Sequence, residues 1–117
     1  MQDDRHISRS LANRSQESWN DAHAPAGVLS ERSRIDALFS SGYFALLALA
    51  SRDARQALLD HPDVEFIRVA CAAVGVPAAV GVRFAENQYA AFDEERPTLE
   101  QTHLWAGELR AKLSQVM

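Results

Sequence analysis

Apolar residues in this chain recur at three- and four-residue intervals in several separate runs, and no run of strand length alternates strictly between apolar and polar. That periodicity predicts helices throughout. The first, over residues 5–22, has a thin stripe of Ile7, Leu11, Ser15, Ser18 and Trp19. Such a stripe buries little by itself, so residues 1–28 are expected to form a peripheral arm or helix, lying across the bundle or against another subunit. The stretch His23 to Gly27 reads as a turn.

The second helix is the richest. Ser30 is placed to cap it, and the pattern then runs to about Ala50. Ile35, Leu38, Phe39, Gly42, Leu46 and Leu49 form one stripe, which Tyr43, Phe44 and Leu47 widen beyond what a one-sided surface helix needs. This predicts the central helix. Glycine inside a helix costs about 1 kcal/mol relative to alanine, so Gly42 marks a close backbone approach or a gap beside Tyr43.

A short helix is expected from Ser51 through Leu59, with Leu58 and Leu59 as its apolar contacts, and another from Pro62 to about Val74. Gly75 followed by Pro77 is a stop and then a start, giving a fifth helix to about Glu94. Its Val80, Phe84, Asn87 and Ala91 share one stripe, and Val82, Ala85, Tyr89 and Phe92 a neighbouring one. Arg96-Pro97 ends it, and Thr98 with Gln101 offers a capping box for a last helix to about Gln115. That helix buries Leu99, Ala106, Leu109, Leu113 and Val116, with Trp105 alongside. The fold class is therefore all-α, a bundle of about five or six helices, and 117 residues suit one domain, 1–117.

Charge and composition narrow the function classes. A net charge of −4 gives no global footprint for duplex nucleic acid. Of the 12 cationic residues only Lys112 is lysine, and arginine forks suit directional pairing with carboxylate or phosphate. The polar, acidic start Met1 to His6 is unlike a secretory signal, so a cytoplasmic location is expected. The uncharged stretch Val69–Val82 is too short and too interrupted, by Gly75 and Pro77, to span a membrane.

No phosphate loop, Cys-x-x-Cys pair, His-Glu-x-x-His or Gly-x-Ser-x-Gly occurs. His6, His23, His61 and His103 are scattered, with no helical pair at three or four residues, so neither a metal site nor a cofactor is expected. Cys71, within an apolar run, reads as an inert core thiol. Asp93-Glu94-Glu95 at a helix end is a solvated acidic turn or a site for a cation or basic partner.

The run Arg34-Ile35-Asp36-Ala37-Leu38-Phe39-Ser40-Ser41-Gly42-Tyr43-Phe44-Ala45-Leu46-Leu47-Ala48-Leu49 resembles the central helix of HEPN domains, small helical bundles in which a small residue and two aromatics precede alanine and further apolar residues. The resemblance covers about one sixth of the chain and the all-helical layout. It implies a HEPN-like four-helix core with extra short helices and a homodimer. An apolar-rich helix set without a recognisable catalytic constellation reads as a noncatalytic protein–protein interaction module, and the resemblance implies its association with a nucleotidyltransferase or toxin system. The ribonucleases of that family carry an arginine and a histidine four to six residues apart in a cleft between subunits, and Arg55 and His61 have that spacing. In such a site the histidine would act as general acid or base on RNA and the arginine would stabilise the phosphorane charge, without a metal. The plainer reading makes Arg55 a solvated helix residue and His61 a turn residue before Pro62. A further alternative groups Tyr43, Tyr89, His103 and Trp105 around a small-ligand pocket.

Overall fold

The computed structural model describes residues 4–25, 27–50, 55–56, 64–86 and 97–116, and among these every regular element is an α-helix. They are α1 (Asp4–Ala22), α2 (Glu31–Leu49), α3 (Val64–Val74), α4 (Ala79–Glu86) and α5 (Leu99–Val116). The all-α bundle read from periodicity is the observed architecture. Several expectations lie outside the described residues: Ser51, Leu58 and Leu59 of the short helix, Pro62, the 87–94 end of the fifth helix with Tyr89, and the acidic run Asp93–Glu95.

Local chemistry sets the helix ends. The Ser33 amide donates to Ser30 Oγ at 3.1 Å, the cap expected for α2. Thr98 and Gln101 exchange bonds, Gln101 N–H to Thr98 Oγ1 at 3.1 Å and Thr98 N–H to Gln101 Oε1 at 2.9 Å, which closes the capping box of α5. Gly75, at φ +77°, ends α3; its amide reaches Ala72 O and the amide of Val76 reaches Cys71 O, a paired bond pattern that only a left-handed residue permits cheaply. Cys71 and Val76, both buried, pack at that corner.

Among the described residues, α2 touches each of the other four helices. Its Ala45, Leu46 and Leu47 meet Ile67, Ala70 and Cys71 of α3 and Trp105, Ala106 and Leu109 of α5 in one core. Trp105 is 3 % exposed and lies between two glycines, Gly42 and Gly81, whose missing side chains leave room for the indole. Phe39 stacks on Phe84 at 3.8 Å and on Trp105 at 5.5 Å, and the indole N–H donates to Pro77 O at 3.1 Å. Of the two accounts of Gly42, close packing is the one observed.

Within residues 1–28, expected to form a peripheral arm or helix, α1 is a helix packed on the bundle. It runs along α2, and Ser15 is completely buried against Ser41. Each hydroxyl donates to the other helix's carbonyl, Ser15 Oγ to Ser41 O and Ser41 Oγ to Ser15 O, both at 2.7 Å. Two small, mutually satisfied polar residues let the helices close up where apolar bulk would hold them apart. Val116, expected in the core, is the last residue of α5 and is 70 % exposed.

Candidate functional site

The end of α1 builds the most distinctive surface feature. Its last four carbonyls all find donors: Trp19 O from His23 Nδ1 at 2.7 Å, Asn20 O from the His23 amide at 3.1 Å, Asp21 O from the Ala24 amide at 3.1 Å, and Ala22 O from an Arg34 guanidinium nitrogen at 2.8 Å. Arg34 also donates to Pro25 O at 3.1 Å. Beyond it the Val28 amide donates to Pro25 O at 3.2 Å, with Gly27 at φ +89°. This turn fixes His23 beside α5.

There His23 meets His103, with Nε2 atoms 3.1 Å apart and ring planes 69° to one another. A carbonyl accepts only, so His23 must carry its proton on Nδ1 to reach Trp19 O. In the neutral pair its Nε2 is then an acceptor and His103 Nε2–H the donor. Trp19 lies against both imidazoles, at 4.6 Å from His23 and 4.9 Å from His103, and Arg110 sits over the indole at 4.9 Å. Arg110 is itself held by Gln16. Partial burial lowers the Arg110 pKa from its ordinary value.

The two imidazoles line a cleft of about 490 Å3 together with apolar Ala22, Leu38, Leu99 and Leu104 and charged Arg34 and Glu100. A smaller cleft, about 140 Å3, is lined by the same Leu104 with Val80, Trp105 and Glu108. Leu104, 64 % exposed, is the ridge the two clefts share.

The residues expected to carry chemistry are distributed differently. Arg55 is 4 % exposed, which overturns the solvated reading: its Nε donates to Leu47 O and one terminal nitrogen to Ser8 Oγ, both at 2.8 Å. The same nitrogen approaches Ala48 O and Ala50 O at 3.5 and 3.4 Å. The guanidinium thus closes the C-terminus of α2, a structural role that accounts for the arginine without an RNA phosphate. His61 lies outside the described residues. Of the residues proposed for a ligand pocket, Tyr89 lies outside the described residues; among the other three, His103 lines the larger cleft, Trp105 is core, and Tyr43 stacks on Phe39 with its pKa raised by burial. Cys71 is fully buried, and burial pushes its thiol up to about 11, which suits an inert core residue. The sequence sets the histidines aside as metal ligands because none has a helical partner, and no sequence signal joins positions 80 residues apart.

No helix among the described residues is long and apolar enough to cross a membrane. No family model matches the chain, and no curated protein or solved structure matches it either, so the reading of the cleft rests on its own residues.

Proposed function

We propose that this chain is a noncatalytic helical interaction module that pairs with a second copy of itself through the outer face of α5. The observation that carries the reading is the Leu104 ridge: a large apolar side chain, 64 % exposed, shared by two clefts with apolar lining. An isolated exposed leucine is ordinary, but a ridge shared by two apolar clefts is a knob with holes beside it. A two-fold contact requires one face to complement itself, and the lining supplies both signs of charge, Glu100 and Glu108 on α5 and Arg34 on α2. The resemblance of residues 34–49 to the HEPN central helix supports the same reading, since proteins of that family are commonly dimers, and with it a role beside a nucleotidyltransferase or toxin. The ribonuclease alternative is not preferred because Arg55 is committed to backbone carbonyls.

Light scattering across micromolar concentrations tests the proposal. The mass is expected to be that of two chains, and Leu104→Glu, which places a charge at the centre of the contact, to return it to one chain with little change in thermal stability. A monomer at every concentration removes the reading.

A further inference from the structure

We infer that His23 and His103 form a binding site for a divalent transition metal of zinc type, each imidazole contributing Nε2. Three observations meet at this pair. The first is distance: nitrogens bound at about 2.05 Å to one tetrahedral zinc lie about 3.3 Å from each other, and these lie 3.1 Å apart, so a small opening admits the ion. For a metal to bind there, His103 takes the tautomer protonated on Nδ1, the proton leaving Nε2 for the other ring nitrogen, so that both Nε2 lone pairs face the ion with both rings neutral. The second is tautomer. Metal-bound histidines characteristically donate the other ring N–H to a carbonyl or carboxylate, which fixes the ring and leaves the ligating lone pair outward, and His23 does so through Nδ1 to Trp19 O at 2.7 Å. The third is rigidity with access. Trp19 packs against both rings, which holds their mutual angle, yet both histidines are exposed to solvent and can be reached by an ion.

Among the described residues no three of His, Cys, Asp and Glu stand close enough to form a ligand set. Two protein ligands therefore leave the remaining positions to solvent or to an incoming group. With one protein ligand fewer than an open catalytic zinc site and two fewer than a closed structural one, the pair binds more weakly than either. Glu100, in the lining of the same cleft, adds negative charge nearby. Imidazole pairs favour zinc, copper and nickel over calcium and magnesium, which seek oxygen. The inference is independent of self-association, because both ligands come from one chain.

The test is calorimetric titration of the full chain with zinc chloride, with magnesium chloride in parallel. Zinc is expected to saturate at one equivalent per chain at submillimolar concentration, magnesium not at all. His103→Gln and His23→Gln should each weaken zinc binding by at least about tenfold, and His6→Gln should leave it unchanged. Because His23 also caps α1, His103→Gln carries the result if the other variant loses helicity. Nitrogen-detected imidazole spectra should show zinc shifting Nε2 of both rings while the Nδ1–H of His23 persists. No saturation at submillimolar zinc, binding that survives the double variant, or equal loss in His6→Gln would overturn the site and leave a simple N–H···N hydrogen bond.

Discussion

Gly42 shows how one absent methyl group sets the spacing of two helices. A Cβ at that position would lie 2.5 Å from Cζ3 of Trp105 and 3.2 Å from the Ala106 backbone, well inside van der Waals contact. The indole has little room to retreat, since Phe39 stacks on it, Pro77 O holds its N–H, and a Cβ on Gly81 would be 3.1 Å from its far side. Two effects oppose each other in Gly42→Ala. Alanine gains up to about 1 kcal/mol of helix propensity, while overpacking a tight core costs about 1–3 kcal/mol. Contact at 2.5 Å against a pinned ring puts the cost at the upper end. The variant is therefore expected to be less stable by about 1–2 kcal/mol, read as a lower urea midpoint at unchanged slope. An unchanged or raised midpoint would show that the α2–α5 seam can widen freely.

At the scale of elements, the helix ends are where sequence and structure agree, because a cap is a contract between residues two to five positions apart. Ser30 with Ser33, Thr98 with Gln101, and Gly75 could each be read along the chain. Thr98→Ala removes an acceptor for the Gln101 amide and should cost about 1 kcal/mol, while Thr98→Ser, which restores the hydroxyl, should recover most of it in the same thermal or urea unfolding measurement. Loss of stability in both variants would place the effect in the threonine methyl instead. The core stripes of α2 and α5 were legible for a related reason, since Leu38, Leu46, Ala106, Leu109 and Leu113 announce burial by residue type. What stayed hidden was polar and distant. Ser15 lies on the thin stripe of α1 and Ser41 on no stripe, and nothing along the chain says that each supplies the other's acceptor 26 positions away; His23 and His103 become a pair only when α1 ends beside α5. Periodicity reports faces, and it cannot report which polar face meets which.

Taken as a whole molecule, the bundle locks its two longest helices with arginines supplied from beyond their ends. Neither α1 nor α2 has a basic residue in its last turn, where the helix dipole favours a cation. The charge arrives instead from the returning chain: Arg34 on Ala22 O and Arg55 on Leu47 O. Arg55 does more, because its fork spans from the end of α2 to Ser8 on α1 and so ties the next segment of chain to the α1–α2 pair. This use of a planar, multiply donating group gives one physical role to a cation set that contains a single lysine. Arg55→Ala should leave buried carbonyls without these donors and lower stability by about 2–4 kcal/mol, since hydrogen bonds to a charged group exceed neutral ones. Arg55→Lys keeps the charge but reaches one acceptor at a time, so it should recover less than half of the loss in equilibrium urea unfolding. Full rescue by lysine would mean that charge at the helix terminus, and not the fork, closes α2. No loss in either variant would release Arg55 from the clamp and return it to consideration as a residue held for a phosphate.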